Sequence, residues 1–207
     1  IIIAFVLVFI VNNFSLTLYR VNSSDKKYLV SDLQKRIDIL HYHLKFDLNV
    51  NEKILNGIST ITAAKISPVD SIIELNLYDN LEVINLKVNG VESEYLRSKN
   101  RLFIQTSKEL TDTLKIEIVY KGTPKRSGFD GFVFGEVNGQ SLVYNISEPI
   151  YAPTWFPCDD DPSDKAFLDI EITNDSQYVS VSNGNLINVE IKEDKKTYHY
   201  KTVYPIS

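Results

Sequence analysis

"LHYHLKFDLNV", Leu40 to Val50, sets the reading of the whole chain. Leu40, Tyr42, Leu44, Phe46, Leu48 and Val50 fall on one side of a period of two. His41, His43, Lys45, Asp47 and Asn49 fall on the other. Strict alternation sends the two sets to opposite faces of a pleated backbone, so the stretch reads as a half-buried strand with one solvated face. A polar turn at Asn51 to Lys53 returns the chain into "ILNGISTITAAKI".

The same grammar repeats outward from this pair. Ile73, Leu75 and Leu77 alternate, and Ile84, Leu86 and Val88 run into Asn89-Gly90, a type I′ hairpin signal. Leu114, Ile116, Ile118 and Tyr120 alternate; "GFVFGEVNGQSLVY" folds back at Asn138-Gly139. Ala166, Leu168, Ile170 and Ile172 alternate, and Ile187, Val189 and Ile191 pair across "EDKK" with Tyr198, Tyr200 and Thr202. No helical period is longer than the short "SDLQKR" region. Many short strands between turn signals predict an all-β, antiparallel β-sandwich-like domain.

Composition narrows the function classes. The 207 residues suit one large β domain, or a domain with an appendage, and an apolar fraction of 43% is enough for a real core. A net charge of −5 with interspersed signs leaves no basic stripe, which argues against a nucleic-acid partner. The single Cys, Cys158, excludes an internal disulfide and a cysteine-based zinc cluster. The absence of Met, even at position 1, and a strand-like run up to "TVYPIS" predict a fragment of a longer protein.

"IIIAFVLVFIVNNFSLTLY" carries no charge before Arg20. Ile1 to Val11 has the length of a signal-peptide core. Residues 1–19 approach the ~20 needed to span a bilayer, although Asn12 and Asn13 interrupt them. We therefore expect residues 1–28 to be a signal peptide or membrane anchor plus the polar linker Arg20 to Tyr28, and residues 29–207 to be the β domain. The expected location is exported: periplasmic, extracellular or membrane-anchored.

Candidate chemistry is sparse. His41 and His43 sit at i, i+2 on one strand face, a spacing able to chelate, but zinc takes three or four ligands and only Asp47 stands near. They read as solvated histidines, as does His199. "DDDPSD" fails as a calcium loop: counted from Asp159, the positions needing Gly and Glu hold Asp164 and Ile170. Aspartates beside a proline also hydrogen-bond their own backbone in turns. Cys158 has no local His to activate it and reads as a small buried hydrophobe.

One stretch concentrates special residues: "SEPIYAPTWFPCDDDPSDKAFLDIEI", Ser147 to Ile172. It resembles the pattern Glu-Pro…Ala…Phe-Pro-Cys-x-Asp-x-Pro…Lys-Ala of the zinc aminopeptidases of the aminopeptidase N family. The matching positions are Glu148, Pro149, Ala152, Phe156, Pro157, Cys158, Asp160, Pro162, Lys165 and Ala166. "VSVSNGNL", Val179 to Leu186, looks like that family's Ser-Asn-Gly-x-Leu segment, and "DILHYHLKFDLNVNEKILNGISTITAA" looks like its first strand pair. The resemblance covers about residues 36–207.

The resemblance implies a saddle-shaped N-terminal β domain. In the family the next domain carries Gly-x-Met-Glu-Asn and His-Glu-x-x-His, and holds the zinc; this chain contains no His-Glu pair. It implies zinc in the full-length parent and none bound here, peptide substrates, and the missing catalytic domain of the same chain as a partner. No catalytic or metal-binding residue is expected in this chain. Glu148 is implied to hold the substrate's free α-amino group. Ile146 stands where the family has Gln, which implies a different first-subsite preference. Trp155, Phe156, Pro157, Cys158, Asp160, Pro162 and Lys165 would form a rigid structural motif, with Asp160 tying the turn's backbone and Trp155 packed against it. Either the motif presents Glu148 to the catalytic domain, or it only shapes the seam between domains. A non-catalytic scaffold of the same fold is the rival reading for the parent, and a relative that opens epoxides is a second enzymatic one.

Overall fold

The hairpin turning at Asn51 to Lys53 lies at the middle of the main sheet. Its arms are β1 (Ile37–Asn49) and β2 (Ile54–Lys65), and Lys53 takes the left-handed φ of 59° that the turn needs. The computed structural model describes residues 30–66, 72–106, 112–126, 131–147 and 150–207. The leader expected at residues 1–28 lies outside them.

The other strands follow in chain order: β3 (Ile72–Asn76), β4 (Leu81–Val88), β5 (Val91–Glu92), β6 (Tyr95–Ser98), β7 (Arg101–Gln105), β8 (Thr113–Gly122), β9 (Gly131–Val137), β10 (Gln140–Ile146), β11 (Phe167–Asp175), β12 (Asn185–Lys192) and β13 (Lys195–Lys201). Short 3-10 turns at Gln34–Arg36 and Ala152–Thr154 are the only helical elements among the described residues. No helix there is long and apolar enough to cross a membrane. An eight-stranded sheet runs β12-β13-β11-β1-β2-β8-β4-β5; β3-β7-β6 and β9-β10 form two smaller sheets. The all-β class expected from the alternation is what forms.

The core lies where the inward faces meet. Leu44 and Phe46 of β1, Leu55 and Ile61 of β2, and Ile116, Ile118 and Tyr120 of β8 are buried, as are Ile73, Leu75, Leu102 and Ile104 of β3 and β7. Each such side chain contributes about 1.5–3 kcal/mol on leaving water. Gly57 of β2 stands opposite Tyr120, and a Cβ there would lie 2.3 Å from the tyrosine ring. The absent side chain is what lets the ring lie across the strand.

Four expectations need correction. The domain is not wholly antiparallel: β1 and β11 pair in parallel, in a register running from His41↔Phe167 to Asp47↔Thr173. Parallel neighbours need a long crossover, and the chain from β2 through β10 supplies it. Leu40 does not share a face with Leu44, because a bulge between Ile39 and His41 leaves it 40% exposed while Ile39 is buried. Ile84 likewise bulges out between Val83 and Asn85, 51% exposed. A bulge adds one residue and resets the alternation. A third, between Leu186 and Asn188, sets Leu186 opposite Tyr200 and Val189 opposite Tyr198.

Candidate functional site

Residues 150–166 lie between β10 and β11 and run across the core face of the sheet. Trp155 and Phe156 supply the anchor: their rings are 4.6 Å apart, Trp155 lies 5.2 Å from Phe46 and 5.9 Å from Phe132, and Phe156 meets Tyr42 edge-on at 5.5 Å. Offset aromatic pairs of this kind add about 0.5–1.5 kcal/mol each beyond area burial. Pro157 is buried beside them. Cys158, 2% exposed, extends the β3 edge by exchanging both backbone hydrogen bonds with Asn76, at 2.7 and 3.0 Å. Burial pushes its thiol well above the ordinary range, consistent with a structural rather than a nucleophilic cysteine.

The aspartates close the turn. Asp160 Oδ1 accepts the backbone N–H of Tyr151 at 3.3 Å. The N–H of Asp159 donates to the buried Tyr42 hydroxyl at 3.1 Å, and its carboxylate accepts from Gln34 Nε2 at 3.0 Å. Asp161 caps the small turn over Pro162, accepting from Ser163 N–H at 2.9 Å. Asp164 accepts from Ile39 N–H at 3.2 Å, pinning the segment to β1. Pro162 and Lys165 are exposed.

The carboxyls of Asp159, Asp160, Asp164 and Glu74 are held above their usual range. Burial pushes Asp159 up to about 7, reinforced by Asp164, Asp161, Glu74 and Asp160. Burial likewise raises Asp160 to about 7 against the lowering effect of the Tyr151 and Ala152 N–H groups. Asp164 rises to about 6, through burial and the neighbouring Asp38. Glu74, buried in β3, also rises, although Arg101 at 2.9 Å and Ser31 at 2.8 Å oppose the burial effect.

The turn grips the segment ahead of it at two points. Trp155 Nε1–H donates to Ser147 Oγ at 3.0 Å, and Asp160 holds Tyr151. Tyr151 itself has φ +127°, an outlier for a bulky residue. Glu148 and Pro149, between those grips, lie outside the described residues. Ile146 ends β10, pairs with Gly131 and is 44% exposed. The local aspartate and aromatic signals were readable. Ser147, Tyr42, Asn76 and Gln34 were not picked out, because all but Ser147 come from distant strands or turns.

The histidines differ from the expectation. They are not merely solvated: His41 and His199 hydrogen-bond the two oxygens of Asp169 at 2.9 and 2.8 Å, and His43 bonds Glu171 at 2.7 Å. Lys201 and Lys45 approach the same carboxylates at 3.1 and 3.0 Å. The parallel pairing of β1 with β11 creates this array on the face opposite Leu44 and Phe46. Among the described residues, no group of three or more His, Cys, Asp or Glu could hold a metal ion.

Comparison with known proteins decides the family. The sequence model of the peptidase M1 N-terminal domain matches residues 39–207. The chain belongs to that family. It is similar to aminopeptidase N of Lactobacillus helveticus, 28% identical over 171 residues, covering 77% of this chain and 19% of that protein. It is also similar to probable aminopeptidase 2 of Sulfurisphaera tokodaii, 25% identical over 162 residues, 77% of this chain and 20% of that protein. This M1 N-terminal domain thus spans about a fifth of the length of these curated relatives. Its fold matches an M1 zinc metallopeptidase from Deinococcus radiodurans at a TM-score of 0.72, 24% identity, 83% of this chain and 40% of that one. Native yeast LTA4 hydrolase shares the fold at a TM-score of 0.71 and 17% identity, covering 88% of this chain and 30% of that one.

Proposed function

We propose that this chain is the N-terminal domain of an exported zinc-dependent aminopeptidase, and that its Glu148 segment walls the pocket receiving a peptide's free amino terminus. The observation that carries the reading is the double grip on that segment, by Trp155 on Ser147 and by Asp160 on Tyr151. A site residue needs a support that fixes its position, and the turn supplies one on each side of Glu148-Pro149. The family match and the aminopeptidase relatives supply the reaction class.

Zinc is implied by the M1 zinc metallopeptidase from Deinococcus radiodurans; when bound, such a metal would supply an activated water. The described residues of this chain do not fit it, so the metal is assigned to the part of the parent that this chain does not span. The role of the present domain is recognition. A free α-amine has a pKa of about 7.7–8.0, so near neutrality it is mostly ammonium. The Glu148 carboxylate, partly dehydrated against a neighbouring domain, pairs with that ammonium and rejects blocked peptides. Ile146, two positions ahead of Glu148 in the sequence, adds an apolar surface where the wider family has an amide. Residues 1–28 carry the export signal or anchor. A reporter active only outside the cytoplasm, fused behind residues 1–30 and a restored start with basic residues, is expected to light up.

The direct test is kcat/KM on an aminoacyl substrate for the full-length parent and its Glu148→Gln variant, with unfolding curves for both. Losing one charge-assisted hydrogen bond costs roughly 1.5–3 kcal/mol, so kcat/KM is expected to fall about ten- to over a hundredfold with folding unchanged. A normally folded variant within about twofold of wild type removes the anchoring role.

A further inference from the structure

Between β5 of the main sheet and β6 of the β3-β7-β6 sheet the chain crosses in two residues, Ser93 and Glu94. A hollow of about 420 Å³ opens at this crossing, within the ~300–1,000 Å³ range of small-ligand sites. Val88, Val91 and Glu92 line it from the β4–β5 hairpin, Glu94 from the crossing, Gln105 from the end of β7 and Thr106 from just beyond it. The hollow adjoins β5, at the opposite edge of the main sheet from β12, and no residue of the turn at 150–166 lines it. Backbone bonds fix its surroundings. Ser93 N–H donates to the Leu86 carbonyl at 3.0 Å, and Gln105 N–H to the Glu94 carbonyl at 2.9 Å. Asn89 ties the hairpin turn to β8 twice: its N–H donates to the Lys115 carbonyl and its Oδ1 accepts the Lys115 N–H, both at 2.8 Å.

Two oxygens at this hollow have no partner. Thr106 is 4% exposed, and neither its Oγ1 nor Gln105 Oε1, both buried, takes part in a hydrogen bond. Buried polar groups are bonded in folded proteins, so two unbonded acceptors on consecutive residues call for a donor that the described residues do not supply. The charge at the hollow is negative. Glu92 accepts from Asn85 Nδ2 at 3.3 Å and stands opposite Lys87 in the β4–β5 pairing. Glu94 is exposed, and among the described residues no cation pairs with it. Unbonded acceptors, a free carboxylate and valine methyls together match a positively charged donor group on an alkyl stem.

We propose that this hollow binds an organic cation, an ammonium or guanidinium group on an alkyl chain, at a site separate from the Glu148 segment. The head of the ligand pairs with Glu94 and donates to Gln105 Oε1 and Thr106 Oγ1, which side-chain rotation turns toward it. The stem lies against Val88 and Val91. A free polyamine and a lysine or arginine side chain of a peptide present the same group, and the test tells them apart. The inference does not depend on the parent being an aminopeptidase.

Calorimetric titration of the full-length parent tests it, with spermidine in one arm and acetyl-lysine amide and acetyl-arginine amide in the other. The blocked amino groups keep the amides out of a pocket for a free amino terminus, and Glu148→Gln is titrated alongside for the same reason. Binding is expected to survive Glu148→Gln and to weaken about tenfold or more in Glu94→Gln and in Thr106→Val, each of which removes one charged or hydrogen-bonding partner. Binding of spermidine alone assigns the site to a free cation, and binding of the amides assigns it to a peptide side chain. Thr106→Val is close to isosteric and removes a hydroxyl without a partner, so its unliganded unfolding midpoint is expected at or above that of wild type. Glu94→Gln alters an exposed carboxylate and keeps the test open should the valine variant fold poorly. No binding of any probe in the millimolar range overturns the proposal. So does an affinity unchanged by Glu94→Gln, or binding that disappears in Glu148→Gln.

Discussion

Asp160 and Asp169 belong to one short stretch of sequence and meet opposite environments. Asp160 sits in the turn over the core, with backbone N–H groups for partners and its carboxyl raised to about 7 by burial. Asp169 sits on the open face of the sheet. Burial pushes it upward too, but hydrogen bonds from His199, Lys201 and His41 outweigh that and hold it at about 2. The difference lies in the cations. A carboxylate removed from water without a positive partner gives up its charge, and one ringed by donors keeps it. The turn is thus a packing device with polar ties, and the open face is a set of ion pairs.

The largest expected effect tests the packing half of that contrast. Phe156 is 8% exposed and wedged between Tyr42 and Trp155. Phe156→Ala is expected to cost about 3–5 kcal/mol, as aromatic truncations in cores do. On the open face, His43→Ala removes one hydrogen bond to Glu171 at a part-exposed site and is expected to cost under about 1 kcal/mol. Urea unfolding of both variants checks the ratio; equal losses would break the contrast.

A middle-sized effect tests the raised carboxyl. The ordinary Asp value is 3.8 and the folded value of Asp160 is about 7. The native state therefore holds a proton that the unfolded state releases. The contribution of this group is fully present below about 4 and is lost as pH rises through about 7. Asp160→Asn keeps an acceptor and cannot ionise. It is expected to gain about 1–3 kcal/mol on wild type between pH 5 and pH 8, since one pKa unit is worth about 1.4 kcal/mol and relaxation reduces the full shift. Asp160→Ala loses the acceptor for Tyr151 and is expected to unfold earlier than Asp160→Asn at both values. Denaturation midpoints at the two pH values decide it; an Asn variant whose deficit is the same at pH 5 and pH 8 would show that the carboxyl titrates normally.

Much of this architecture was legible from alternation. The β1–β2 hairpin and the I′ turns at Asn89 and Asn138, with φ of 52° each, follow from local signals. The bulges at Leu40 and Ile84 were not legible, because both residues are apolar and a bulge leaves no mark on composition. The parallel pairing of β1 with β11 was hidden for another reason: His41 and Asp169 meet across 128 positions of chain. The histidines therefore read as solvated when each has a carboxylate partner. In the turn, Asp160 and Trp155 could be singled out, whereas Gln34 and Asn76 could not, since their contacts also span the chain.

The smallest effect sharpens the electrostatic half. Asp169 is 12% exposed at its side chain, whereas its partners His41, His199 and Lys201 are 30%, 31% and 54% exposed. Its folded value of about 2 lies below the ordinary 3.8, so its contribution is present above about 4 and is lost as pH falls through about 2. The shift alone would correspond to at most about 2.5 kcal/mol, and water around three exposed partners screens part of it, which leaves about 1 kcal/mol. Asp169→Asn is expected to lose that much at pH 7 in low salt, less in high salt, and nothing by pH 2. The direction is opposite to that for Asp160→Asn, which gains as pH rises. A double-mutant cycle with His199→Ala isolates that one partner: a coupling near zero at pH 7 would mean that His41 and Lys201 hold the carboxylate without it. A salt-independent loss would mean that Asp169 acts by packing, and the two aspartates would then differ in degree of burial alone.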